Sequence, residues 1–349
     1  MTRPPMPEAT TQPSPQKDRS VLTALGKLCL PVVAFLWGDL SPRWARRWAK
    51  VFCAISWPFI RRPRKIARAN LEIAFPKINN KQRNILLKNN LRYIFELALD
   101  WLHFYQHPDD INHRLVLSPE IEAFRARRAA DAELPPAIFC TLHLGNWELA
   151  SHVSYLSGRK GVVVAARFNV EWFNELAARM RTAETDTELL PVQGAARGML
   201  RALKEGRDLG ILIDQHVSPR KGGIFLNFFG LAVTASPLPA TLAIRANLPV
   251  MVVACCKQPD GNFGIELERL PKLTEQYASA AELTQDIFHC YEAIIRRHPE
   301  QYLWLYRCWR AIPANATEAY RQRYPFYAHS YATFACDTAL LTAESTSKK

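Results

Sequence analysis

The feature that most constrains this chain is the alternation, from residue 136 onward, of short apolar segments with amphipathic ones. Strands that alternate with helices of about 10–15 residues predict a largely parallel sheet covered on both faces. Continuous apolar strands fit burial of both sheet faces. We therefore expect an α/β protein with a mostly parallel, covered sheet and flanking helices. The predicted strands are PAIFCTLHLG (136–145), GVVVAAR (161–167), TELLPV (187–192), DLGILIDQ (208–215) and PVMVVACC (249–256).

The N-terminal part of the chain combines an apolar run with a basic one. Nine Lys or Arg residues and no acid lie between Arg43 and Arg68, in a chain of net charge +13. Aromatic residues such as Trp44 and Phe59 are interleaved with them. Upstream, residues 21–38 are mostly apolar, but the cleanest stretch, 28–38, is shorter than the roughly 20 residues that a membrane span needs.

A membrane anchor explains the apolar run, the tryptophans and the basic flank together. We therefore expect an N-terminal hydrophobic membrane-anchor helix within residues 21–62, which either crosses the bilayer or lies in it. A nucleic-acid patch would explain the charge but not the apolar run, so we expect no nucleic-acid partner. A buried helix followed by a solvated basic face is the structural alternative. Residues 1–20, rich in Pro, Thr, Ser and Gln, are expected to form a disordered tail.

The eight cysteines show no CxxC spacing and mostly lie in apolar stretches. This pattern is typical of free thiols used as small hydrophobic side chains. We therefore expect the catalytic body to face the reducing cytoplasm. The sequence contains no P-loop or dinucleotide-binding glycine motif and no zinc-site spacing, so we expect no cofactor and no metal.

The segment most informative about chemistry is His143-Leu144-Gly145-Asn146-Trp147-Glu148. The histidine ends a predicted strand, Gly145 permits a turn, and Asn146 is a good residue to cap the following helix. Glu148 would then lie in the first turn of that helix, from which its carboxylate could fold back onto the imidazole. A histidine oriented by a carboxylate is a capable general base. A structural histidine beside a helix-capping glutamate is the alternative, but ligands bind at the carboxyl edge of open α/β sheets.

Six motifs, in this order along the chain, resemble those of the late lipid A biosynthesis acyltransferases, the lauroyl/myristoyl transferase family of Gram-negative bacteria. The resemblance covers roughly residues 20–312. The motifs are RANLEIAFP (68–76), HLGNWE (143–148), AAR (165–167), IDQ (213–215), NFFGLAVTAS (227–236) and HPEQYLWLYRCW (298–309).

The resemblance implies an O-acyltransferase of lipopolysaccharide biosynthesis, in which His143 and Glu148 form the catalytic dyad. The dyad would activate a hydroxyl of a Kdo2-lipid IVA-like lipid A precursor for attack on the thioester of an acyl-acyl-carrier-protein. It also implies the inner membrane, with the catalytic domain facing the cytoplasm. The corresponding division of the chain is a tail (1–20), an anchor (21–62), a catalytic domain (63–312) and a C-terminal extension (313–349).

Five further residues are candidates for substrate binding. Arg167 would hold the substrate or donate to the oxyanion, and Asp214 with Gln215 would orient groups in the site. Phe228 and Phe229 would line the acyl channel, unless they are plain core aromatics. Arg179, Arg181 and Arg220 would bind phosphates or the acidic carrier, unless they are solvated surface charges.

Other functions remain open from the sequence. The acceptor could be another glycolipid, an aminolipid or a glycerolipid. A metallohydrolase would use His143, Glu148, Asp214 and His216, although no ligand-rich motif supports it. A non-catalytic lipid-binding protein would use the basic patch at 43–68.

Overall fold

A seven-stranded sheet forms the centre of the protein, in the order β1-β9-β8-β2-β5-β3-β4. All neighbouring strands are parallel except β8 and β9, which pair antiparallel. The mostly parallel α/β sheet expected from the sequence is therefore confirmed. The strands are β1 (Leu115–Leu117), β2 (Ile138–Thr141), β3 (Gly161–Ala165), β4 (Glu188–Pro191), β5 (Asp208–Leu212), β8 (Val250–Lys257) and β9 (Phe263–Glu268). β6 (Ile224–Phe228) and β7 (Leu231–Ala235) form a separate hairpin, and β10 (Ala311–Ile312) pairs with β11 (His329–Ser330).

The structure is a computed structural model that describes residues 29–342, apart from 132, 167–170, 184, 193 and 332. The predicted tail at 1–20 and the start of the predicted anchor, 21–28, lie outside the described residues. The first helix, α1, is described over residues 29–37. The other helices are α2 (Pro42–Ser56), α3 (Arg61–Ala74), α4 (Asn80–Gln106), α5 (Asp110–Arg114), α6 (Pro119–Ala130), α7 (Val153–Leu156), α8 (Glu171–Thr182), α9 (Ala195–Lys204), α10 (Leu238–Ala246), α11 (Ala280–Arg297), α12 (Glu318–Arg321) and α13 (Thr338–Thr342).

Helices cover both faces of the sheet, as β2 shows. Its four residues are all buried. Ile138 and Cys140 belong to one hydrophobic cluster, which includes residues of α3, α9, α10 and α11, whereas Phe139 belongs to the other, which includes residues of α4, α6 and α8. Successive side chains of a strand point to opposite faces, so an uninterrupted apolar strand indicates a layer on each side.

The N-terminal helices pack on α4 and leave an apolar face exposed. Trp37 of α1 contacts Trp48 of α2 edge to face at 4.8 Å between ring centroids, and Phe52 of α2 lies 6.2 Å from Phe95 of α4. Large apolar side chains of the same helices remain exposed, namely Val32, Val33, Phe35, Leu36, Trp44, Val51, Ile55 and, after α2, Phe59. No helix within the described residues has the length and apolarity required to cross a bilayer. The described part of the chain therefore does not support the expected N-terminal anchor helix.

A tight turn at Gly145 redirects the chain after β2. Gly145 has a φ of +65°, and a Cβ atom at this position would lie 1.9 Å from the carbonyl oxygen of Cys255. The turn is fastened on both sides, because Gly145 N donates to Gln301 O at 3.1 Å and Asn146 N donates to Cys255 O at 2.8 Å. Only glycine satisfies both the left-handed backbone and the close approach of β8.

We expect Gly145→Ala to lower the free energy of unfolding by roughly 3 kcal/mol or more, because the new methyl group collides with backbone atoms that cannot move independently. Urea denaturation measures this loss. Gly158→Ala is the matched control: Gly158 also has a positive φ, +86°, but its Cβ would enter open space. That variant should lose only about 1–2 kcal/mol. Equal losses in the two variants would contradict the role given to the contact with Cys255.

Candidate active site

The site forms where the neighbouring parallel strands β2 and β5 end at the same edge of the sheet. Thr141 of β2 is in register with Leu212 of β5. His143 and Asp214, which each follow two residues after these positions, therefore meet at this edge. The Nδ1 atom of His143 lies 2.7 Å from Oδ1 of Asp214, and the main-chain N–H of His143 donates to Oδ2 at 3.0 Å. One carboxylate therefore holds both the ring and the backbone of the histidine.

The hydrogen bonds of His143 define its tautomer. A carboxylate only accepts, so Nδ1 carries the proton and Nε2 presents its lone pair. The amide Nε2 of Gln215 lies 3.1 Å from this lone pair and donates to it. The His143 side chain is 17% exposed, whereas that of Asp214 is 2% exposed. The His143 ring can therefore be reached by a substrate, whereas the Asp214 carboxylate is shielded from solvent.

The segment 300–306 holds the main chain of His143 through a hydrogen bond. Leu303 N donates to His143 O at 2.9 Å. Two buried asparagines hold this segment by its carbonyls: Asn90 Nδ2 donates to Glu300 O and Tyr302 O, and Asn70 Nδ2 donates to Trp304 O and Tyr306 O. Sequence reasoning missed both asparagines. A signal existed for Asn70, because it lies inside the RANLEIAFP motif.

Two buried tyrosines lie near Asp214 and stay neutral. Burial, with added repulsion from Asp214, raises the pKa of Tyr291 and of Tyr302 well above the usual value. The hydroxyl of Tyr291 donates to Thr141 O at 2.7 Å.

Burial is also the main cause of the lowered pKa of His216, whose Nδ1 lies 2.6 Å from Thr234 Oγ1.

Glu148 does not hydrogen-bond to His143, contrary to the geometry expected for a direct dyad. Its Oε1 accepts from Trp147 Nε1 at 2.9 Å and from Arg181 Nη2 at 3.0 Å, and Oε2 accepts from Arg181 Nε. The local reason is that the chain after Gly145 does not enter an α-helix directly. It first forms a 3-10 helix, Leu149–His152, and Asn146 accepts from Trp101 Nε1 at 3.1 Å instead of capping. The Glu148 carboxylate is thus bound to α8.

Trp147 connects the two side chains that the sequence paired. Its ring centroid lies 5.3 Å from that of His143, and its indole N–H donates to Glu148. Glu148 therefore reaches the imidazole only through this indole. Arg181, with a 13% exposed side chain, is part of the same arrangement and is not a solvated helix charge.

A small cavity adjoins Glu148 on the sheet side. It measures about 30 Å³ and is lined mainly by apolar side chains, including Phe139, Val164 and Ile211. Such a volume holds about one water molecule, so an acyl chain does not fit there without movement of the surrounding side chains.

The other predicted residues are placed as follows. Arg167 lies outside the described residues. Phe228 is buried against Trp309 and Phe288, with ring centroids 5.7 and 5.3 Å away, and Phe229 packs on Phe228 at 4.8 Å. Both rings are core aromatics in this structure, and their part in acyl binding stays a prediction.

The ligand set considered for a metallohydrolase does not assemble in the described part of the chain. The two groups there that could hold an ion are Asp39 with His103 and His107, and Cys256 with Glu266 and His298. Neither group includes His143, Asp214 or His216.

Comparisons with known proteins agree with the resemblance drawn from the motifs. The family model of the bacterial lipid A biosynthesis acyltransferases matches residues 15–311. The chain is 24% identical over 273 residues to the lipid A biosynthesis palmitoleoyltransferase of Escherichia coli K12, a match that covers 76% of this chain and 85% of the relative. A lipid A biosynthesis acyltransferase of Shigella flexneri matches to the same extent. The lipid A biosynthesis lauroyltransferase of Escherichia coli K12 is 23% identical over 274 residues, 75% of this chain and 84% of the relative.

The ordered motifs, the sheet edge that carries His143 and the family match over most of the chain lead to one conclusion: this enzyme is an acyltransferase and belongs to the bacterial lipid A biosynthesis acyltransferase family.

Proposed function

We propose that this enzyme transfers a fatty acyl chain from an acyl-acyl-carrier-protein to a hydroxyl of a Kdo2-lipid IVA-like lipid A precursor, with His143 as the general base. The observation that carries the proposal is the hydrogen bond from His143 to Asp214, which leaves Nε2 as a proton acceptor at the substrate-accessible edge of the sheet. The family match supports the class of acceptor.

The reaction follows from this arrangement. The acceptor hydroxyl takes the position now occupied by the Gln215 amide, and its proton passes to His143 Nε2 as the oxygen attacks the thioester carbonyl. Asp214 stabilises the imidazolium that forms. When the tetrahedral intermediate collapses, the C–S bond breaks, an ester remains, and the imidazolium returns its proton to the thiolate of the carrier.

Donors to the developing oxyanion complete the proposed site. The Gln215 amide, displaced from Nε2 by the acceptor hydroxyl, stays beside the site and can turn its N–H toward the thioester carbonyl oxygen. Arg167 remains our candidate for a second donor, because it follows β3, the strand beside β5. A single donor of this kind typically contributes about 3–4 kcal/mol to the transition state.

We further propose that Glu148 is a positioning residue. Its carboxylate is buried and compensates the charge of Arg181, while it fixes the Trp147 indole against the imidazole. It is therefore required for the shape of the site without accepting the histidine proton.

We also propose that the enzyme works at the cytoplasmic surface of the inner membrane. The exposed apolar side chains of α1 and α2 are of the kind that enter a headgroup region, and the basic residues between Arg43 and Arg68 suit anionic lipids. All eight cysteines are free thiols, a state typical of proteins in a reducing compartment.

Replacing His143 by Ala is expected to lower turnover by about 10²–10⁴-fold, because the hydroxyl loses its proton acceptor. The assay supplies acyl-acyl-carrier-protein and tetra-acylated lipid A precursor to purified protein. His289→Ala is the matched control, since His289 is an exposed histidine paired with Asp286 on α11. Full turnover by the His143 variant would refute the proposed base.

The partner of the imidazole can be identified by ¹⁵N NMR of protein labelled at histidine. Asp214→Asn should change the His143 ring signals, because an amide no longer holds the proton on Nδ1. Glu148→Gln should leave those signals close to the parent ones, since the hydrogen-bond partners of the Glu148 carboxylate are Trp147 and Arg181, not His143. The opposite pattern would restore Glu148 as the direct partner.

Membrane association is expected to depend on the exposed face of the first two helices. Phe35→Ser with Phe59→Ser should weaken binding to anionic phospholipid vesicles by roughly tenfold or more per side chain, as about 1.5–3 kcal/mol of apolar burial is lost for each. The control is Val192→Ser with Leu273→Ser, which also removes two exposed apolar side chains, but elsewhere on the surface. Vesicle sedimentation measures the binding of both double variants. If the Phe35/Phe59 variant bound vesicles as well as the Val192/Leu273 variant, this face would be excluded as the membrane contact.

A further inference from the structure

Four side chains outside the acyl-transfer site lie near one another where the α1–α2 turn meets the end of α4. They are Asp39, His103, His107 and Asp110. His103 and His107 lie one helical turn apart, so both rings face the same side. His107 Nε2 is 2.6 Å from Asp39 Oδ1, and His103 Nε2 is 2.8 Å from Asp110 Oδ2. Donor atoms of Asp39, His103 and His107 all lie within 4.8 Å of one another.

The hydrogen bonds around His103 prepare it as a ligand. Its Nδ1 lies 2.7 Å from the carbonyl oxygen of Gly38, which only accepts, so Nδ1 carries a proton, and Nε2, whose present partner is Asp110 Oδ2 at 2.8 Å, is the nitrogen that faces the cluster. A ring nitrogen that donates to a backbone carbonyl while the other binds the ion is the usual arrangement of metal-bound histidines. An added Cβ atom at Gly38 would collide with the Gln106 side chain and with Ala34 O, so glycine allows the turn to pack against the end of α4.

We propose that Asp39, His103 and His107 bind one divalent transition-metal ion such as Zn²⁺, with Asp110 as the fourth ligand. Two imidazoles and two carboxylates form a common zinc donor set, and the carboxylates balance the charge of the ion. Ligands at about 2.0–2.2 Å from a tetrahedral ion lie roughly 3.4 Å apart. Small side-chain rotations therefore suffice for Asp39, His103 and His107, whereas Asp110 has to move from His103 Nε2 onto the ion. The side chains are 23–65% exposed, which leaves the ion a path from solvent.

The second ion-capable group lacks these properties. Hydrogen bonding to His298, followed by the charges of that residue and Arg297, lowers the pKa of Glu266. Burial raises the pKa of the Cys256 thiol well above its usual value, which disfavours the thiolate that zinc requires. Glu266 already pairs with Arg297 and His298, and the Cys256 thiol stays protonated. We therefore assign Glu266 and His298 to a salt-bridge network rather than to a metal site.

The position of the proposed ion has a consequence for the protein. Asp39 belongs to the turn between α1 and α2, whereas the histidines and Asp110 belong to the body. A bound ion would therefore fasten the exposed apolar face of α1 and α2 to α4. Because binding occurs only in the folded arrangement, the ion should raise the melting temperature.

The test uses full-length, tag-free protein treated with chelator, titrated with Zn²⁺ alone by calorimetry and with Co²⁺ by absorption. We expect one ion per chain, a tetrahedral Co²⁺ spectrum and a higher Tm with Zn²⁺. His103→Ala and His107→Ala should each bind at least roughly 100-fold more weakly. Asp39→Asn, which preserves side-chain shape, should also lose affinity and keep the parent circular dichroism.

His289→Ala is the matched control, because His289 also lies beside a carboxylate on a helix, but among the described residues Asp286 is its one carboxylate within ion-pairing distance. It should bind Zn²⁺ like the parent protein. The proposal is overturned if the parent binds no more Zn²⁺ than the His103→Ala/His107→Ala double variant, or if Asp39→Asn retains full affinity. Neither result depends on acyl transfer, so the site and the proposed reaction are tested separately.

Discussion

The carboxylate of Asp214 bonds to the ring and to the main chain of His143 at once, and the organisation of the site depends on this pair of hydrogen bonds. The ring contact selects the tautomer in which Nε2 can accept a proton. The main-chain contact joins the end of β2 to the end of β5, so the orientation of the base is fixed by the sheet itself. Because Asp214 is almost fully buried, water does not compete for either bond.

A second layer of constraint comes from segments far away in the chain. Residues 300–306 contact His143 and Gly145 through main-chain hydrogen bonds, and Asn70 and Asn90 of α3 and α4 hold that segment in place. Helices α3 and α4 therefore contribute to the position of His143 through this segment. This explains why recognisable motifs occur in α3 and after α11, both distant in sequence from the histidine.

Glu148 illustrates how a motif can predict a contact that the structure does not contain. The spacing from His143 to Glu148 predicted a carboxylate folded back onto the ring. In the structure the carboxylate neutralises Arg181 of α8, and Trp147 contacts both the carboxylate and the imidazole. An arginine 33 positions further along the chain is a long-range partner, and local spacing carries no information about it.

The sequence by itself determined the mostly parallel sheet, the strand that precedes His143 and the turn at Gly145, because these follow from local apolar runs and turn chemistry. The ordered motifs also determined the family. Only the tertiary structure decided that Asp214 is the partner of His143, that Glu148 binds Arg181, and that Asp39 meets His103 and His107. The reason is physical: which side chains pair depends on strand order and helix packing, and these place residues together that lie tens of positions apart in the chain.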